Sequence, residues 1–212
     1  MAAADGATGI DVFYPIFPDS DWIERVVPLG IRTVQLRLKD ADETELRRQI
    51  VHARDVCRAH SCQLIVNDYW QAALELSCDY IHLGQEDLAV ADIQAIKRAG
   101  VRLGVSTHSE EELEIALSVS PDYVALGPIY ETKLKVMKWS PQGLDRIGRW
   151  KKRIGSVSLV AIGGITPDRA PGVLNAGADS VAVITDFITA PHPIERISQW
   201  LELVKTWRAS HH

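Results

Sequence analysis

The stretch Thr33-Val34-Gln35-Leu36-Arg37-Leu38-Lys39-Asp40 alternates polar and apolar side chains, with Gln35, Arg37 and Lys39 two residues apart. In an extended chain that period points these three to one face and Val34, Leu36 and Leu38 to the other. The apolar face reads as packing against helices. Two cations and an amide are then directed into the interior of a sheet or toward its mouth, where a charge is costly unless paired. An anionic ligand would account for them. So would a half-exposed antiparallel strand with a solvated polar face, and the segment alone leaves both open.

Working outward, short apolar runs recur along the chain: VFYPIF (12–17), TVQLRL (33–38), QLIVND (63–68), YIHLGQ (80–85), RLGVST (102–107), YVALGP (123–128), LVAIGG (159–164) and SVAVIT (180–185). An amphipathic stretch follows nearly every one. In residues 43–60, Leu46, Ile50, Ala53 and Cys57 form one stripe, and near the end Ile194, Ile197, Leu201 and Val204 form another. Strands with few polar positions, alternating with one-sided helices, indicate a parallel sheet under a helical layer. Eight repeats are the number that closes an α/β (β/α)8 TIM barrel. An open doubly wound sheet is the alternative, but no GxGxxG turn follows the first strand and no break divides the repeats into halves. The chain is expected to be one domain over 1–212, with 1–10 flexible and 209–212 a tail.

Composition narrows the ligand. The 212 residues are 46% hydrophobic, enough for a sizeable core, and carry a formal charge of −5 with no basic run. A nucleic-acid footprint is therefore not expected, and the cations above suggest a local site for a small anion on an acidic surface. No apolar run approaches the ~20 residues of a membrane-spanning helix, and residues 1–15 have no signal-peptide pattern, so a cytoplasmic location without membrane attachment is expected. Cys57, Cys62 and Cys78 form no zinc-type spacing and read as buried free thiols. His211 and His212 are given no function.

In such barrels chemistry gathers at the carboxyl ends of the strands. Those ends carry Arg37 and Lys39; Asn67 and Asp68; Gln85, Glu86 and Asp87; Ser106, Thr107 and His108; Gly127 and Pro128; Gly163 and Gly164. Asp68, Ser109 and Thr166 each precede a helical stretch and, taken one at a time, read as N-caps before anything else. As a pair, Asp68 and Asp87 lie on neighbouring strands, where mutual repulsion calls for a cation. An all-oxygen set with Asn67 or Gln85 suits magnesium. AIGGITPD followed by AVITD reads as a phosphate site built on glycine backbone and a helix amino end, although Gly163 and Gly164 also fit a plain tight turn. The lysine-rich loop 131–143 reads as a lid: its Lys133, Lys135 and Lys138 are either plain solvated charges or include one projected over a diphosphate. His82 is expected to be a structural imidazole, and His108 is left open.

Taken in order, QLRLKD, IVNDYW, IHLGQEDL, LGVSTH, LGPIYETKLK with SPQGL, VAIGGI and AVIT resemble the thiamine phosphate synthase family over nearly the whole chain. The resemblance implies a magnesium-dependent transferase that joins a hydroxymethylpyrimidine diphosphate to a thiazole phosphate and releases pyrophosphate. It implies that Gln35, Arg37, Lys39 and Asn67 hold the pyrimidine diphosphate, that Asp68 and Asp87 bind magnesium, and that Ser106 and Lys135 contact pyrophosphate. Thr132, Gly164 and the backbone of Ile184 and Thr185 would hold the thiazole phosphate, and Arg37, Lys39, Ser106 and Lys135 would carry the catalysis. The mechanism implied is dissociative, with no covalent nucleophile. A thiazole tautomerase shares the fold but typically lacks the second metal carboxylate. A substrate-retaining protein with weak catalysis and a Schiff-base aldolase using Lys39 are the other readings.

The chain departs from the family pattern in its lid, where Leu134 replaces the second threonine of TxTK, and at Thr185 and Asp186, where Ser and a small residue are usual. Losing a hydroxyl donor to an anion costs roughly 1 to 3 kcal/mol, or about tenfold or more in rate. Leu134→Thr should therefore speed pyrophosphate release at saturating substrates with little change in melting temperature. A level or slower rate would mean the lid is built differently here.

Overall fold

A computed structural model describes residues 9–132 and 139–211. Eight strands, β1 (Phe13–Phe17), β2 (Thr33–Leu36), β3 (Gln63–Asn67), β4 (Tyr80–Leu83), β5 (Arg102–Thr107), β6 (Tyr123–Leu126), β7 (Ser158–Ile162) and β8 (Ser180–Val183), pair in parallel in chain order and close into a barrel. Each coincides with one of the eight apolar runs. Around them lie α1 (Ser20–Val26), α2 (Glu43–Ala59), α3 (Trp70–Glu75), α4 (Gln85–Val90), α5 (Ile93–Arg98), α6 (Glu110–Ser118), α7 (Gly143–Ile154), α8 (Ala170–Asn175), α9 (Thr185–Ile188) and α10 (Pro193–His211). The open doubly wound sheet is excluded, because β8 pairs with β1 through Phe13 opposite Val181 and Tyr14 opposite Ala182.

The alternation in β2 sorts as its period requires. Val34 and Leu36 join the core between strands and helices, while Gln35 is buried inside the barrel opposite Ile16 and Ile65. The interior layer is Tyr14, Ile16, Ile65, Tyr80, Tyr123 and smaller apolar groups. The stripe on α2 is buried as expected, joined by Gln49, whose Oε1 accepts from the Ser20 amide at 2.6 Å. On α10 the buried residues are Ile197, Trp200 and Val204, while Ile194 and Leu201 are half-buried. Trp200 takes the deeper place because its ring stacks on Phe13, with centroids 5.1 Å apart. Each such large side chain removed from water contributes about 1.5–3 kcal/mol.

Near the start of the described residues Ile10 is 8% exposed and packs into the interior cluster, and α10 runs to His211. Of the candidate caps, Ser109 accepts from the Glu112 amide. Asp68 does not cap α3: it takes φ +62° and its amide donates to the His82 carbonyl at 2.9 Å. Thr166 precedes a turn, its carbonyl accepting from the Arg169 and Ala170 amides, and α8 begins without a side-chain cap. The three cysteines are buried and free.

One contact sets the interior packing. Gly104 on β5 lies opposite Tyr123 on β6, and a Cβ added there would stand 2.0 Å from a ring carbon of that tyrosine. The missing side chain is the space the ring occupies. Gly104→Ala should therefore destabilise by about 1–3 kcal/mol through overpacking. That corresponds to a fall of a few degrees or more in the calorimetric melting temperature, and an unchanged value would show that the ring can move aside.

Candidate active site

The carboxyl ends of β2 to β5 bring the first group of expected residues to one mouth. Arg37 follows β2 directly, its amide donating to the Phe17 carbonyl at 2.9 Å, and its side chain is half-buried. Lys39 lies two residues further, beyond the strand and exposed. An exposed lysine outside the barrel lacks the desolvated pocket a Schiff-base amine requires, so the aldolase reading loses its candidate. Among the described residues neither Arg37 nor Lys39 forms an ion pair, which leaves both charges available to an anion.

Asn67 ends β3 and is buried, with its amide nitrogen donating to the Asp68 carboxylate. Asp87 sits in the first turn of α4, which begins directly after Gly84 at the end of the β4 segment. Burial and then the neighbouring Asp87 carboxylate push the Asp68 carboxyl up to about 6, against the lowering pull of Arg37 and Asn67. The two acids therefore do meet, as their places on successive strands suggested. Glu86 between them in sequence is exposed. Gln85 ties α4 to β5, its Nε2 donating to the Ser106 carbonyl at 2.7 Å. Among the described residues no group of three or more His, Cys, Asp or Glu side chains could hold a metal, so any cation here would rest on these two carboxylates with amide and outside oxygens.

Beneath this cluster His82 is buried, with Nδ1 2.7 Å from the Tyr123 hydroxyl and Nε2 2.8 Å from the Ser106 hydroxyl. Burial, and secondly the Arg37 charge, lower its pKa to about 3, so the ring is neutral at physiological pH. Tyr14 continues the network: its hydroxyl is 2.9 Å from that of Tyr123 and accepts from Gln35 Nε2 at 2.6 Å. Neither tyrosine was singled out from the sequence. The available signal was a tyrosine inside an apolar parallel strand, where a buried hydroxyl must find a partner.

On the other side of the mouth, Gly163 and Gly164 follow β7 with φ of +102° and +64°. Both conformations favour glycine, and added Cβ atoms would meet Pro128 at 2.6 Å and the Glu131 carbonyl at 2.5 Å respectively. The pair thus does more than turn the chain: it lets the segment after β6 lie against β7, close to Thr132. Ile184 and Thr185 lead from β8 into the four-residue α9. Asp186, noted as an unusual residue, is structural. Its carboxylate accepts from Arg196 Nε and Nη2 and from Trp200 Nε1, each at 2.8 Å, and so fastens α10 to the barrel. His108 is held by Glu112, with Nδ1 2.8 Å from Oε2, and its ring stacks on Trp139 with centroids 5.8 Å apart. Lys133, Leu134, Lys135 and Lys138 lie outside the described residues.

A cavity of about 850 Å³ opens at the opposite, amino-terminal end of the barrel, beside Asp11, Arg32, Arg54, Cys57 and Cys62. Arg54 and Arg58 there donate to the Leu76 and Ser77 carbonyls, and Arg208 pairs with Asp11. This end of a barrel serves stability, and its groups are committed to structure, so size does not make it the reacting site.

Comparison with known proteins gives the family. A family model described as thiamine monophosphate synthase matches residues 16–187. The chain is 56% identical over 200 residues to a thiamine-phosphate synthase of Rhizobium etli, covering 94% of this chain and 98% of that one. It is 44% identical over 178 residues to one of Cronobacter sakazakii, covering 84% and 85%. A solved thiamine phosphate pyrophosphorylase of Pyrococcus furiosus superposes with a TM-score of 0.80 at 25% identity, covering 92% of this chain and 95% of that one. Similarity that runs unbroken from the first strand to the last βα turn leaves one family assignment: this chain belongs to the thiamine monophosphate synthase family.

Proposed function

We propose that this transferase joins a hydroxymethylpyrimidine diphosphate to a thiazole phosphate and releases pyrophosphate. The observation that carries the reading is the meeting of Asp68 and Asp87 near the half-buried Arg37, in a chain that is 56% identical to a thiamine-phosphate synthase. Two carboxylates on successive strand ends, one with its proton affinity raised by the other, are costly unless a cation joins them. Their all-oxygen surroundings fit a hard divalent ion such as magnesium. Asp68 and Asp87 would hold it, and the chemistry it supplies when bound is charge neutralisation on the diphosphate. No helix among the described residues is long and apolar enough to cross a membrane.

Within this reading Arg37 and Lys39 grip the diphosphate and Asn67 the pyrimidine side, while Gln35 helps to shape the floor. The bond between the pyrimidine methylene carbon and the diphosphate oxygen breaks, and pyrophosphate leaves with the bonding pair. Ser106 donates a hydrogen bond to the departing anion, and by family resemblance Lys135 adds charge from the lid. The thiazole nitrogen then attacks the delocalised methylene cation, held in place through its phosphate at Thr132, Gly164 and the Ile184 and Thr185 backbone. The protein mainly orients the two partners and stabilises the leaving charge.

Pyrophosphate release with both substrates and magnesium tests the reaction, and absence of release would overturn it. Asp87→Asn should lose most of that activity, with excess magnesium restoring part, because one anionic oxygen leaves the metal set. Unchanged turnover would remove Asp87 from the site. Magnesium alone should raise the melting temperature of the wild type at pH 8. The rise should shrink as pH falls through about 6, since a protonated Asp68 competes with the cation; a pH-independent rise would place the ion elsewhere. Arg37→Ala should raise KM for the diphosphate substrate about tenfold to a hundredfold, the loss of a charge-assisted contact, with smaller change in kcat. A normal KM with a lowered melting temperature would make Arg37 structural.

A further inference from the structure

We infer that Gln35, Tyr14, Tyr123 and His82 form a one-way chain of hydrogen bonds through the barrel interior that holds the Ser106 hydroxyl as a donor toward the leaving pyrophosphate, which makes His82 a positioning residue. The inference rests on the proposed function for what Ser106 faces. The direction follows from counting hydrogens. Gln35 Nε2 can only donate, so the Tyr14 oxygen accepts there at 2.6 Å. The single hydrogen of Tyr14 then goes to the Tyr123 oxygen at 2.9 Å, and that of Tyr123 to His82 Nδ1 at 2.7 Å. Nδ1 can receive it only if it carries no proton, so the ring's hydrogen sits on Nε2, which donates to Ser106 Oγ at 2.8 Å. Ser106 Oγ then accepts from the ring on one of its lone pairs, which fixes the hydroxyl's orientation and leaves its own hydrogen for the mouth.

The consequence is chemical. A serine hydroxyl at the edge of a wet site rotates freely, and its hydrogen goes to water or a nearby carbonyl as readily as to an anion. A hydroxyl whose oxygen already accepts from a buried imidazole does not. Donors fixed before the reaction stabilise developing charge without reorganisation, and links in a chain strengthen one another. Tyr123 is seated for this by the absent side chain at Gly104, and its ring meets that of Tyr14 edge to face with centroids 6.0 Å apart.

Two measurements test it. The first reads the tautomer of His82 directly from its imidazole 15N shifts in the labelled full-length enzyme, assigned by comparison with His82→Gln. The Nε2–H tautomer is expected; an Nδ1–H tautomer or an imidazolium near neutral pH overturns the chain. The second is kinetic. His82→Gln keeps a donor where Nε2 stood, whereas His82→Asn reaches only the Tyr123 side. His82→Asn should lose about tenfold or more in kcat with KM little changed. His82→Gln should recover most of that loss at a matched melting temperature, and Ser106→Ala/His82→Asn should be no slower than Ser106→Ala. Equal losses in the Gln and Asn variants, or multiplying losses in the double variant, would show that His82 does not act through Ser106. If Ser106→Ala alone keeps the wild-type kcat, it is the proposed role of Ser106 that fails, and with it the positioning role, whatever tautomer the shifts report.

Discussion

The ring of Tyr123 is the element on which the interior and the mouth both depend. It fills the space that Gly104 leaves open on the facing strand, and its hydroxyl touches Tyr14 on one side and His82 on the other. Closing eight parallel strands leaves room inside for layers of side chains and nothing more. Here one layer carries hydroxyls, an amide and an imidazole instead of branched aliphatics alone. Every polar atom placed there must be bonded, and among the described residues none is left without a partner. That requirement turns a floor of aromatic rings into a fixed set of directions beneath the reacting groups.

Above this floor the charges are arranged by sign. Arg37 is half-buried where β2 ends, and Asp68 and Asp87 stand at the ends of the following strands. Burial first, and then the neighbouring Asp87 carboxylate, raise the affinity of Asp68 for a proton, and the arginine offsets this only in part. A protein with a net charge of −5 thus keeps a cation turned inward, next to a pair of acids that a divalent ion would satisfy. Local placement, not the overall balance, decides which ligand such a surface accepts.

The remaining features hold this arrangement in register. Gly163 and Gly164 let the segment after β6 lie against β7 at distances no Cβ would tolerate. Asp186 collects three donors from α10 and fixes the last helix over the first strand, where Trp200 stacks on Phe13. A residue that looked like a departure near a phosphate site therefore earns its place as a helix anchor. At the far end, ion pairs and carbonyl contacts of Arg54, Arg58 and Arg208 close the barrel bottom.

The eight strands, the one-sided helices and the outward or inward face of every residue in Thr33–Leu36 were determined by the sequence itself, because periods of two and 3.6 are local properties that packing only had to accept. The meeting of Asp68 with Asp87 was legible for a related reason: successive strands of a parallel barrel are neighbours, so residues at successive strand ends share a mouth. The bonds from Tyr14 to Tyr123, 109 residues apart, and from Tyr123 to His82, 41 apart, were not legible. Nor was the bond from Asp186 to Trp200, since an acid beside a glycine-rich turn carries no mark of which helix will cover it. Lys39 continued the alternation of its strand in sequence, yet the ladder ended before it and left it in solvent. Periodicity tells which side a residue faces while the strand lasts. Only closure of the barrel decides where the strand stops and which distant hydroxyl completes a buried hydrogen bond.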